Sequence, residues 1–123
     1  MKGGTVTLHS YKDLELWKKS MDLVTVIYKL TADYPSQEKF GLISQIRRAA
    51  VSIPSNIAEG SSRNNTKEYV QFLYIANGSL SEVETQLEIS YRLGYIKEFE
   101  TLIDSIKHIR KLMGGLINAL KAK

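Results

Sequence analysis

Four successive stretches of the chain return apolar side chains at alternating intervals of three and four residues. That is the period of a helix face, not of a strand. In the third stretch Tyr69, Leu73, Ala76, Leu80, Val83 and Leu87 follow a 4-3-4-3-4 order. In the fourth, Leu102, Ile106, Ile109, Met113, Leu116 and Leu120 repeat it. A mean spacing of 3.5 residues keeps one seam of a helix turned toward its neighbours in left-handed bundle packing. The second stretch carries Ile43, Ile46, Ala50, Ile53 and Ile57. The first carries two stripes, Leu14, Trp17, Met21, Val24 and Tyr28 beside Leu16, Leu23, Ile27 and Leu30. So wide an apolar arc implies cover on more than one side.

Local punctuation sets the boundaries. Asp13 is placed to cap the first helix, and Tyr34-Pro35 closes it, because a residue before proline resists the helical region. Pro54 lies within the second run and predicts a kink there. Gly60 is expected to end that helix at positive φ. Asn65-Thr66-Lys67-Glu68 reads as a capping box, and Gly94 ends the third run. Asn77-Gly78-Ser79 reads as a small-residue notch for close helix approach. The pattern predicts helices over about 13–33, 41–59, 66–93 and 97–121 behind a flexible tail, 1–12. Connections this short make neighbours antiparallel. The expected fold is all-α, an up-down-up-down four-helix bundle, with 1–123 as a single domain.

Few residues could carry chemistry. There is no cysteine, which removes thiolate metal sites, disulfides and cysteine nucleophiles and agrees with a cytoplasmic setting. The N-terminus lacks the apolar core of a secretory signal, and no run is apolar enough to enter a membrane. Glu82, Glu84 and Glu88 in a helical bundle invite a di-iron reading, but neither His9 nor His108 stands in a Glu-x-x-His pair. His108 reads as an ordinary exposed histidine. No serine lies in a Gly-x-Ser-x-Gly elbow, and no phosphate-binding glycine loop ends in lysine. No metal, no cofactor and no catalytic residue are expected.

Two polar groupings remain. Gln45, Arg48, Ser52, Asn56 and Glu59 share one face of the second helix. Serine and asparagine are poor choices for a merely solvated helix face. This stripe predicts a structural network, within the bundle or between subunits, in which Arg48 pairs with Glu82 or Glu59. The second grouping is basic. The net charge is +4, yet residues 71–96 hold one basic residue against three acidic ones. The positive excess gathers at Arg47, Arg63, Lys67, Lys107, Arg110 and Lys111, the candidate nucleic-acid contacts, with Lys121 and Lys123 after them. In an antiparallel bundle Arg63, Lys67, Lys121 and Lys123 would share one end.

The run Gly41-Leu-Ile-Ser-Gln-Ile-Arg-Arg-Ala-Ala-Val-Ser-Ile-Pro-Ser-Asn-Ile-Ala-Glu-Gly60 resembles the core motif of a family of bacterial four-helix-bundle proteins. These were first noticed as open reading frames in intervening sequences of large-subunit ribosomal RNA genes, and the same family includes accessory variability proteins of diversity-generating retroelements. Leu14-Glu15-Leu16-Trp17-Lys18 is similar to the family's first helix, Lys67 to Leu73 and Gly78 to Glu82 to its third, and Leu112 to Leu120 to its fourth. The resemblance implies homopentameric assembly. It also implies, for the retroelement relatives, a basic surface that engages a reverse transcriptase and nucleic acid. The expectation is a non-enzymatic, self-assembling scaffold that binds RNA or an RNA-associated enzyme. The alternative is a purely protein-binding or structural oligomer.

Overall fold

Ser10 accepts a hydrogen bond from the Lys12 amide at 3.0 Å and sets a 3-10 turn over Tyr11–Asp13. The computed structural model describes residues 10–123, so residues 1–9 of the expected tail lie outside the described residues. The last residues of that tail are built into the fold. Tyr11 is half-buried, and its ring meets Trp17 edge-on with centroids 5.4 Å apart. Four helices follow: α1 (Glu15–Thr31), α2 (Leu42–Ser61), α3 (Thr66–Arg92) and α4 (Phe99–Lys121), with a 3-10 turn at Ser36–Glu38 between the first two. Every helix end falls within two residues of its expected place. Among the described residues there is no strand.

Asp13 does not cap α1. It closes the 3-10 turn, and Leu14 takes the cap position with its amide bonded to the Tyr11 carbonyl at 3.0 Å. The start of α3 is as expected, with one change of partner. Asn65 Oδ1 accepts from the Glu68 amide at 2.8 Å, while Glu68 Oε2 takes its second bond from the Asn65 side-chain amide at 2.6 Å. An Asn65→Ala variant is expected to lose about 1 kcal/mol, a drop of about 4 °C in melting temperature by calorimetry. At the far end Gly94 adopts φ 78°, and the Tyr95 and Gly94 amides return to the Ser90 and Tyr91 carbonyls at 2.9 and 3.0 Å. This paired closure satisfies carbonyls that the helix end would otherwise leave bare.

Gly60 corrects its expectation. It lies inside α2 without positive φ, buried against α3, and α2 runs on to Ser61. A Cβ there would stand 2.8 Å from Phe72 Cβ and 3.0 Å from the Tyr69 ring. The glycine serves a close helix approach, not a turn. The notch at Gly78 is the converse, since a Cβ there would meet nothing within 4 Å. Helix α2 continues through Pro54, which is buried.

Each helix packs on two others, α1 and α3 each lying against α2 and α4. Along α3–α4 and α2–α3 the contacting residues descend in one helix as they ascend in the other. Lys121 meets Tyr74, Arg110 meets Ser81 and Glu84, and Phe99 stacks on Tyr91. Likewise Ser52 meets Ser79, while Gly60 meets Phe72 and Tyr69. The fully buried centre includes Ile27, Ile46, Ile53, Ile57, Leu73, Leu80, Val83, Leu87, Ile106, Ile109 and Met113. The seams shift in places from expectation, with Leu42 and Val70 buried where Ile43 and Tyr69 are only partly so. In α4 Ile117 is buried and Leu116 only partly so, because a 3.6-residue helix drifts from a strict seven-residue repeat. In α1 the core face is Leu16, Ser20, Leu23, Ile27 and Thr31, while Met21 and Tyr28 of the other stripe are exposed. Ser20 and Thr31 tolerate burial by donating to the Leu16 and Ile27 carbonyls, both at 2.7 Å.

Candidate functional site

Ser52 and Asn56 stand one turn apart on α2, spacing that lets their side chains meet. The Asn56 amide donates to the Ser52 carbonyl at 2.8 Å and to its hydroxyl at 2.9 Å. Ser52 Oγ lies 2.8 Å from Ser79 Oγ of α3, so the stripe bonds across to a second helix. Gln45, Arg48 and Glu82 line a hollow of about 290 Å³ with Ser52, Ser79 and the buried Gln86. The expected ion pairs of Arg48 are not made among the described residues. Arg48 and Glu59 are eleven residues apart on one helix, about 16 Å along its axis. Glu59 instead pairs with Arg63, one turn away, at 2.7 Å. The network is therefore Ser52, Asn56 and Ser79, flanked by Gln45, Arg48 and Glu82, with Glu59 outside it. Sequence reading missed Ser79 and Gln86. Their seven-residue separation beside the α3 seam is the signal that they share its α2 side.

The six candidate nucleic-acid residues divide by what they touch. Arg47 Nε donates to Thr31 Oγ1 at 2.8 Å, its Nη2 to the Tyr28 carbonyl at 3.2 Å, and the guanidinium lies 4.5 Å from the Tyr28 ring centre. It fastens α2 to the last turn of α1, the negative end of that helix's dipole, which favours a cation. Arg63 pairs with Glu59 and covers the Phe72 ring at 4.8 Å. Arg110 bridges α4 to α3 through Glu84 at 2.8 Å and Ser81 at 3.2 Å. Arg47 and Arg110 thus tie neighbouring helices to each other, and Arg63 is engaged by Glu59 of its own segment and by the Phe72 ring. Lys67, Lys107 and Lys111 are exposed and form no ion pair among the described residues.

Lys67 has company. With Lys121, Lys123, Gln71 and Tyr74 it rims a hollow of about 380 Å³ where the start of α3 meets the end of α4. The Lys121 ammonium donates to the Tyr74 hydroxyl at 3.2 Å and stands 5.9 Å from the centre of its ring. The expected basic end thus gathers three lysines, with Arg63 committed to Glu59. Tyr74, which the sequence reading did not single out, is half-exposed and adds an aromatic surface.

Titration is perturbed elsewhere. Burial pushes the Tyr34 phenol up, and the Ser90 hydroxyl beside it donates to the Gln86 carbonyl at 2.8 Å. Tyr34 itself has no hydrogen-bond partner among the described residues. The Tyr95 hydroxyl donates to Glu38 at 2.9 Å, and that bond, more than burial, raises its pKa. Tyr69 is raised by burial. His108 lies 3.5 Å from Glu15 and is half-exposed. Among the described residues no three metal-binding side chains converge, and no helix is long and apolar enough to cross a membrane.

Comparison with solved structures finds a crystal structure of a protein with unknown function from the S23 ribosomal protein family of Bacteroides thetaiotaomicron VPI-5482. It is 27% identical with a TM-score of 0.77, covering 84% of this chain and 95% of its own. No curated protein matches the chain. The 23S rRNA-intervening sequence protein family matches over residues 12–115, which takes in all of α1, α2 and α3 and most of α4. The chain belongs to the 23S rRNA-intervening sequence protein family.

Proposed function

We propose that the protein is a non-enzymatic scaffold that assembles with copies of itself and holds RNA by its phosphates. The observation that carries the RNA half is the hollow rimmed by Lys67, Lys121 and Lys123 beside Tyr74. Three ammonium groups around one concavity attract a phosphate backbone, and a half-exposed ring beside them offers a face on which a base can stack. Lys107 and Lys111, one turn apart on α4, would extend the contact along the backbone. No base-reading module accompanies the lysines, so the affinity would follow salt more than sequence.

Gel-shift titration against structured RNA at two salt concentrations tests this. The wild type should bind at low salt and weaken steeply as salt rises. The Lys67→Glu/Lys121→Glu variant should bind more weakly across all sequences. Its slope of log affinity against log salt should be shallower by about 1 for each lysine lost. Absence of any shift at low salt would remove the RNA half. It would favour the second reading, an oligomer with protein partners alone, for which the uncovered apolar residues of α3 speak.

A further inference from the structure

Lys67, Gln71 and Tyr74 follow one another at 4-3 spacing, so they form one exposed stripe along the first turns of α3. That stripe is one wall of the hollow whose other wall holds Lys121 and Lys123, at the end of α4 and just past it. The position of the Tyr74 ring between them is specific. The Lys121 ammonium stands 3.2 Å from the hydroxyl and 5.9 Å from the ring centre. Those distances differ by nearly the separation of a tyrosine's hydroxyl oxygen from its ring centre. The ammonium therefore lies beyond the hydroxyl, in line with the long axis of the ring, and not over either face.

Other rings beside cations are treated differently. The Arg47 guanidinium lies 4.5 Å from the centre of Tyr28, and that of Arg63 lies 4.8 Å from the centre of Phe72, close enough to cover a face. Tyr74 is held by its edge instead, stacks on no other ring among the described residues, and is 45% exposed. Lys121 keeps further donors after serving the hydroxyl, since an ammonium has three.

An open ring beside three ammonium groups discriminates between two forms of RNA. In a duplex each base is already stacked on its neighbours, and proteins contact chiefly phosphates and 2′-hydroxyls. A paired helix could use the lysines but not the ring. An unpaired nucleotide uses both, with its base on the ring and its flanking phosphates on the ammonium groups. The size agrees. About 380 Å³ falls near the lower end of the ~300–1,000 Å³ usual for sites that hold one small organic molecule. Gln71, between Lys67 and Tyr74 on the same wall, presents an amide that can both give and accept a hydrogen bond at a base edge.

We propose that this hollow takes an unpaired RNA nucleotide, its base stacked on Tyr74 and its flanking phosphates held by Lys67 on one side and Lys121 and Lys123 on the other. The inference rests on the RNA binding proposed above and names the form of RNA that the hollow accepts, which is a loop, bulge or free end and not a paired helix.

Fluorescence anisotropy of a labelled, unstructured RNA of about 12 nucleotides, free or annealed to its complement, tests it with the full chain at one low salt concentration. The single strand should bind more tightly than the duplex. Tyr74→Leu should weaken the single strand at least about fivefold and leave the duplex unchanged. Because leucine removes no charge, the salt dependence should also stay as it was. Tyr74→Phe, which keeps the ring, should hold more of the single-strand affinity than Tyr74→Leu. Lys67→Gln should weaken both forms and flatten their salt dependence. If the duplex binds as tightly as the single strand, or Tyr74→Leu weakens both forms alike or neither, the inference is overturned while phosphate binding by the lysines stands. If neither form binds at low salt, both readings fall. Circular dichroism checks that Tyr74→Leu keeps its helices. Should it lose them, the strand preference of the wild type decides alone, and equal binding of the two forms overturns the inference.

Discussion

A valine in place of Gly60 is expected to destabilise the protein by about 3 kcal/mol, lowering the melting temperature by about 10 °C. The contact it would violate is nearly rigid. Phe72 Cβ, 2.8 Å from the added Cβ, is fixed to the α3 backbone, and the Tyr69 carbonyl at 3.2 Å is itself backbone. No flexible side-chain tip can swing away, so α2 and α3 would have to part over the most extensive contact in the fold. The control is the reverse change in sign. Gly115 of α4 is exposed with nothing within 4 Å of an added Cβ, so Gly115→Ala should gain about 1 kcal/mol through helix propensity alone. Thermal unfolding of the two variants beside the wild type checks both. Equal shifts would show that helix propensity, not the close approach, governs Gly60.

Leu80→Ala is expected to lose about 2–5 kcal/mol, the range for truncating a fully buried leucine. Leu80 has no exposed surface, and its α3 neighbours along the seam, Ala76 and Val83, are small. Small neighbours have little side chain with which to fill the space, which favours the upper half of that range. Urea unfolding should show a lower midpoint with an unchanged slope, because the variant folds to the same surface with a void inside. A loss under about 1 kcal/mol would mean that the helices close over the gap and that the core is softer than its burial suggests.

Much of the fold was legible because its signals are local. Asn65 and Glu68 are three residues apart, and Gly94 with Ser90 and Tyr91 lies within one turn, so the ends of α3 could be read from neighbouring letters. Part of what failed depended on register between helices. Gly60 looks like a helix end until Tyr69 and Phe72 are brought against it. The core face of α1 was legible in Leu16, Leu23 and Ile27 but not in Ser20 and Thr31, which count as polar in a sequence. In the structure each hydroxyl is satisfied by its own helix, leaving the position free to be buried. The same division runs through the candidate site. The grouping of Ser52 with Asn56 follows from helical spacing, but Ser79, their partner 27 residues from Ser52, does not. Arg47 and Arg110 were grouped with the free lysines because charge is visible in a sequence. Their commitments to Thr31 and Glu84, 16 and 26 residues away, are not.

Trp17, the single tryptophan of the chain, lies against Tyr11 and lines the same shallow trough as Val51 and Pro54 of α2. Its indole emission therefore reports the docking of α1 on α2 and is blind to events between α3 and α4. The molecule carries its own optical probe for one half of its architecture. If emission and helical ellipticity lose amplitude together on heating, the four rods come apart in one cooperative step. If emission shifts first, the amino-terminal rod peels away while the other three still hold.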